Sequence, residues 1–307
     1  MTRDNRIGLK NNTIIHFRNK NSGEGKDVQI TGEIGRGASC IVYDAIYLDN
    51  IGVQHKVRVK ECYPSHLPIH RDQENQLIPS EYNRDKFVIA KKKFVDAYKQ
   101  SAKIRNTLGL INSTINSTDT TSCNNTIYIK MELDEGSDYG KYEDGSLKSL
   151  FVHMKSLAQL IQKYHQNGYL YLDIKPENIF ILPETDEHII LFDFDSVVTL
   201  EELAGNNRIE LSFSKGFSPP EQIQGRRDKI GKHTDIYSIG ALTFYKLFNR
   251  VATSQECNIS ATYPFGKMNY ANEKYHPKLY RAINNFLRKT LSTATIPRWH
   301  DMQPVIE

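Results

Sequence analysis

Residues 168–182 read GYLYLDIKPENIFIL, and the reading of this stretch decides the fold. Between two apolar runs it crowds Asp173, Lys175, Pro176, Glu177 and Asn178. An acid, a base and an amide at relative positions 0, +2 and +5 have a chemical use. The acid accepts a hydroxyl proton, the lysine neutralises a phosphoryl group in transfer, and the amide offers oxygen to a divalent cation. A second acid, Asp193, follows twenty residues on in LFDFD (191–195). A surface loop with accidental polar residues would not be expected to carry both DIKPEN and FDFD in this order.

Upstream, EIGRGASCIVYDA (33–45) places Gly35 and Gly37 between β-type runs. Such a strand-turn-strand lets backbone N–H groups come close to a phosphate, although a lone Gly-x-Gly is more often only a hairpin turn. No helical pattern follows these glycines, which separates them from a dinucleotide fingerprint. In KVRVKE (56–61), strand alternation puts Lys56, Arg58 and Lys60 on one face and Val57 and Val59 on the other. A lysine on the strand after a glycine loop can reach phosphates held beneath that loop.

The composition bounds the partners. Lys+Arg total 40 against 36 Asp+Glu, a net charge of +4, too small and dispersed to point to nucleic acid. The four cysteines, Cys40, Cys62, Cys123 and Cys257, form no CxxC pair, so neither a zinc site nor a disulfide framework is expected. No run approaches the length of a membrane span, and the first residues lack the apolar core of a signal peptide. A reducing cytoplasmic setting, away from membranes, is the expectation.

Along the chain, residues 1–26 are polar and read as a loosely ordered leader. Short β-type runs follow from Ile30 to Lys60, then an irregular insertion over 63–85. Helical spacing of Phe87, Ala90, Phe94, Ala97, Tyr98 and Ile104 predicts a helix over about 86–107. NTIYIKMEL (125–133) reads as a strand, and DEGSDYGKYEDGSL (134–147) as a hinge. Beyond it the apolar periodicity is helical, around 150–168, 235–248 and 279–291. A strand-rich first third and a helix-rich remainder make an α+β chain.

With these motifs the sequence resembles the eukaryotic-type (Hanks-type) Ser/Thr protein kinases, from about Ile30 to Arg298. The resemblance implies a two-lobed protein kinase fold: a small antiparallel-sheet lobe with one main helix (27–132) and a larger helical lobe with the hinge (133–307). It implies that Ile34, Gly35, Gly37 and Val42 line the glycine-rich loop and that Lys60 contacts the α- and β-phosphates of ATP. Met131 would be the gatekeeper, with Glu132 and Leu133 in the hinge that meets adenine. Asp173 would be the catalytic base and Lys175 its Ser/Thr-type partner, while Asn178 and Asp193 would hold Mg2+, with Mn2+ as the alternative ion. SPPEQ (218–222) resembles the element closing the activation segment, with Glu221 paired to Arg298. Asp235 in DIYSIG would steady the catalytic loop, and Ser214 would contact the acceptor. The partner implied is a protein substrate with a Ser or Thr hydroxyl.

The chain also departs from the family. Tyr171-Leu172 replaces the His-Arg pair whose arginine meets an activation-segment phosphate, which suggests activity that does not depend on phosphorylation there. Asp195 replaces the glycine of Asp-Phe-Gly, and Cys40 the third loop glycine. Arg58 stands where a small residue covers adenine, and the helix partner of Lys60 is either Asp96 or Gln100. These departures favour, as a second reading, a pseudokinase that binds nucleotide or a partner without chemistry. A small-molecule phosphotransferase is a third, weakened by the protein-substrate character of SFSKGFSPPEQ (212–222).

Overall fold

The computed structural model describes residues 4–18, 25–107, 118–132, 137–181, 189–191, 196–205, 211–270 and 275–307. The chain divides into two compact units, Met1–Asp134 and Glu135–Glu307. The division falls at the start of the Gly- and Asp-rich stretch expected to join two parts.

The first unit is built on strands β1 (Ile14–Arg18), β2 (Gly25–Arg36), β3 (Cys40–Leu48) and β4 (Gln54–Cys62). Then come β5 (Ile69–Arg71), β6 (Leu77–Pro79), helix α1 (Arg84–Thr107), β7 (Thr118–Cys123) and β8 (Thr126–Glu132). Six strands form one antiparallel sheet in the order β1-β2-β3-β4-β8-β7. Alternation along β3 buries Ile41, Tyr43, Ala45 and Tyr47. Val57 and Val59 of β4 pair with Ala45 and Tyr43 and are buried on the same face.

Two expectations are corrected here, and one strand is added that the sequence did not signal. Residues 14–18, assigned to a loose leader, are a full strand, because Ile15 and Phe17 alternate with exposed neighbours and are buried. Residues 4–9 are also packed, with Arg6 and Leu9 buried. Within the insertion expected to be irregular, β5 and β6 pair as a hairpin, Ile69 opposite Pro79. The polar TDTTSC is β7, since the bonding edge of β8 and the β-branched threonines outweigh low hydrophobicity.

The second unit begins with β9 (Ser137–Asp138), α2 (Leu147–Gln166), β10 (Tyr169–Leu170), β11 (Ile179–Ile181) and β12 (Ile189–Leu191). It continues with β13 (Val198–Thr199), α3 (Leu200–Ala204), α4 (Pro220–Ile223), α5 (Lys232–Phe248), α6 (Pro277–Leu291) and α7 (Gln303–Ile306). Helix α2 starts where Ser146 caps it, accepting from Ser149 N at 3.1 Å, and buries Leu150, Met154, Leu157, Ile161 and Tyr164. Helix α5 is buried on nearly all sides and packs against α2 and α6. Its Gly240 is required by that approach, because a Cβ there would lie 2.1 Å from Thr290 Oγ1 of α6. Two small sheets, β12-β11-β9 and β10-β13, flank the stretch 168–182. Among the described residues no helix is long and apolar enough to cross a membrane.

Candidate active site

The stretch 171–178 is held from behind by one buried carboxylate. Asp235, at the start of α5, accepts from Tyr171 N at 3.0 Å and Leu172 N at 2.8 Å. It also pairs with His165 Nε2 of α2 at 2.8 Å. This is the steadying role expected of Asp235, and His165 is a contributor the sequence did not single out. Leu172 takes φ = 62°, a left-handed conformation that a leucine adopts only under constraint. The constraint is double: the Asp235 bond fixes its N–H, and its side chain is buried with Leu170 and Val198 against Leu203, Leu211 and Ile230.

The chain then turns Asp173 into a knot of polar groups. Asp173 Oδ1 accepts from Ser214 Oγ at 2.7 Å, and Oδ2 accepts from Lys175 Nζ at 2.8 Å and Asn178 Nδ2 at 2.7 Å. Asn178 Nδ2 also reaches Asp173 O at 2.9 Å, and Lys175 Nζ reaches Ser214 Oγ at 3.1 Å. Asp173 and Asn178 are buried, so these bonds act at low local dielectric and are stronger than they would be in water. The carboxylate is fully committed to an orientation in which one oxygen meets a hydroxyl. Asn178 turns its amide nitrogen inward and keeps Oδ1, a hard oxygen suited to Mg2+ or Mn2+. The other expected ligand, Asp193, lies outside the described residues, as does Asp195.

Ser214 is positioned by its own loop. Its N–H donates to Ser218 Oγ at 2.9 Å, and its carbonyl accepts from Phe217 N and Ser218 N. Gln222 Nε2 of α4 ties the two segments together, donating to Leu172 O at 2.6 Å and Ser212 O at 2.7 Å. Beside it Glu221 meets Arg298 in a bidentate pair at 2.6 and 2.8 Å, as the resemblance implied. Gln222 escaped sequence reading because only its burial separates it from any polar residue after SPPE. Ser218 is buried and serves the loop through its hydroxyl.

The first unit brings another set of the expected residues into line. Strand register places Gly35 opposite Val42 and Val42 opposite Lys60, a row across three strands on one face. Lys60 is buried to 8% exposure. Arg58 is opposite both Asp44 and Met131, and its Nε stands 3.9 Å from Asp44 Oδ1. Gly37 sits in the β2-β3 turn, Ile34 is exposed on β2, Met131 is buried and Glu132 ends β8. Of the two candidates for pairing with Lys60, Asp96 is exposed on α1, and the side chain of Gln100 lies outside the described residues. So does Leu133.

Comparison with known proteins agrees with these observations. The profile of the protein kinase domain matches residues 28–300. A probable serine/threonine-protein kinase of Clostridium acetobutylicum is 26% identical over 237 residues, covering 76% of this chain and 31% of that protein. Serine/threonine-protein kinase PrkC of Bacillus subtilis is 26% identical over 56% of this chain and 27% of its own length. The Citron rho-interacting kinase of Rattus norvegicus is 28% identical over 41% of this chain and 6% of that protein. The chain therefore spans less than a third of the length of these relatives. It belongs to the protein kinase family.

Proposed function

We propose that this chain is an active protein serine/threonine kinase, its two units serving as the lobes of the kinase fold. It would transfer the γ-phosphoryl group of ATP to a Ser or Thr hydroxyl of a protein. The observation that carries the reading is the Asp173 knot. A hydroxyl, that of Ser214, already donates to Asp173 Oδ1, and an incoming acceptor hydroxyl would use the same carboxylate as its base. Lys175 Nζ donates to Asp173 Oδ2 and to Ser214 Oγ and would balance charge on the group in transfer. Lys60, aligned with Gly35 and Val42, would orient the α- and β-phosphates. A divalent cation, when bound by Asn178 Oδ1 and Asp193, supplies charge neutralisation on the phosphate oxygens.

The same reading includes activity that does not wait for a phosphate on the activation segment. Leu172, where the family's phosphate-binding arginine stands, is buried with Val198, Leu203 and Leu211 of that segment, so apolar packing does the holding. The exposure of Asp96 is the observation that favours the pseudokinase reading instead.

One experiment separates the readings. The pure chain is incubated with labelled ATP, Mg2+ and a generic protein acceptor, beside Asp173→Asn and a phosphatase-treated sample. We expect transfer that falls by about a hundredfold or more in the variant and is unchanged by the phosphatase. Nucleotide binding without transfer would establish the pseudokinase, and a large loss on phosphatase treatment would remove the claim of constitutive activity.

A further inference from the structure

We propose that residues 4–9 form a clasp on the glycine hairpin, with Arg6 as the positioning residue that sets the chain's affinity for nucleotide. The proposal rests on the kinase reading, in which this hairpin covers the phosphates of ATP.

The β2-β3 turn is stitched through its carbonyl groups. Gly37 N donates to Cys40 O at 2.9 Å and closes the turn. Ala38 O accepts from Ser65 N at 2.8 Å, and Ser39 O from Tyr63 N at 3.0 Å. One guanidinium takes the Gly37 carbonyl and shares that of Cys40: Arg6 Nη2 donates to Gly37 O at 2.9 Å, and Nη1 to Cys40 O at 3.3 Å. Nη1 also donates to Tyr63 O. A single planar fork thus joins the turn to the chain leaving β4, a task suited to arginine and not to a point-charge lysine.

Arg6 is itself fixed. Asp4 binds it at 2.6, 3.0 and 3.2 Å, and the Arg6 carbonyl accepts from Arg36 Nη1 at 2.7 Å. Arg36 in turn pairs with Glu33 at 2.6 and 3.0 Å, so the clasp is also tied to the hairpin's first strand. The far end of the clasp is anchored in the sheet. Ile7 O accepts from Arg71 Nε at 2.8 Å, and Leu9 N donates to Tyr43 Oη at 3.0 Å. Arg71 and Tyr43 both converge on the buried Glu61, next in sequence to Lys60.

The consequence follows from peptide geometry. A trans peptide directs its C=O and the following N–H to opposite sides. Holding the carbonyls of Gly37, Ala38 and Ser39 toward Arg6 and residues 63–65 therefore aims the N–H groups of Ala38, Ser39 and Cys40 the other way. Successive backbone N–H groups on one side are what an anionic phosphate requires. Glycine loops owe their mobility to missing side-chain restraints, and here the restraint is supplied from outside the loop.

The test uses the full chain with Arg6→Met, Arg6→Lys and Asp4→Asn, each checked for folding by its melting transition. Amide exchange across residues 36–41, calorimetric titration with Mg-ATP, and the kcat and KM for ATP are measured. For Arg6→Met we expect faster exchange in the hairpin and an ATP KM and Kd raised about tenfold, as for loss of one charge-assisted bond. We expect kcat to change much less, and Arg6→Lys to recover only part of the affinity. A folded Arg6→Met with wild-type exchange and ATP affinity would overturn the proposal. If Arg6→Met does not fold, Asp4→Asn decides by the same readouts, with a raised Kd supporting the proposal and an unchanged one overturning it. Wild-type protein that binds no ATP would bring down the kinase reading itself, whereas a wild type that binds beside an unaffected variant removes the clasp alone.

Discussion

At the residue scale, Leu172 shows how one substitution changes what holds a loop. A leucine at φ = 62° is conformationally costly, of order 1–3 kcal/mol, and it persists because Asp235 and an apolar cluster over-determine it. The side chain is 1% exposed. Leu172→Ala should cost about 2–5 kcal/mol, the range for emptying a packed leucine site, read as a shift in the denaturant midpoint. Because the cavity opens beside Leu211 and Val198, proteolysis of the activation segment should quicken in parallel. A loss below about 0.5 kcal/mol, typical of unremarkable surface sites, would show that the cluster does not hold the loop.

Among elements, the first unit's sheet is organised about a buried charge. Glu61, on the opposite face of β4 from Lys60, is wholly buried and accepts from Tyr43 Oη and Tyr128 Oη, each at 2.7 Å. Burial first, then the Glu61 carboxylate, pushes both phenols well above the ordinary tyrosine range. The countercharge is Arg71 of β5, 2.6 Å away. This gives the short β5-β6 hairpin a purpose beyond its three residue pairs. Arg71→Met should cost about 3–5 kcal/mol, because a buried carboxylate loses its partner. The double variant Arg71→Met, Glu61→Gln should recover much of that loss in chemical denaturation. If the double variant is no better than the single, desolvation of Glu61 is not the cause.

For the whole molecule, each unit carries a carboxylate held near pKa 2, and both predict behaviour in acid. In the first unit, the Arg6 hydrogen bond above all lowers Asp4 to about 2. In the second, Arg250 does the same for Glu256, also to about 2. A depressed folded-state value means the group binds its proton more weakly when folded. The stabilisation is therefore complete above the ordinary carboxylate range and is lost as pH falls from there through about 2. The stability gap between wild type and Glu256→Gln, measured by urea unfolding, should be present at pH 7 and close by about pH 2. A gap that does not depend on pH would assign the effect to packing.

Much of the candidate site was legible in the residues themselves. The spacing of Asp173, Lys175 and Asn178, the ordered DIKPEN and LFDFD, and the apolar periods of α2, α5 and α6 are local patterns, and local patterns set strand and helix phase wherever the chain ends up. The Glu221–Arg298 pair and the support from Asp235 were reached through the resemblance and not through spacing. Other features stayed hidden because they are contacts between distant residues. Gln222 reads as an ordinary polar residue until it bridges Leu172 and Ser212, and β7 reads as a polar linker until β8 offers it a bonding edge. The segment 4–9 has no apolar pattern, since its attachment is made by guanidinium groups to backbone carbonyls, and backbone carbonyls leave no trace in composition. By itself the sequence determined which chemistry the chain is equipped for, because reacting groups must be particular side chains at particular spacings. Tertiary structure alone decided what holds those groups in place, because burial and hydrogen bonding over long sequence separations exist only once the chain has folded.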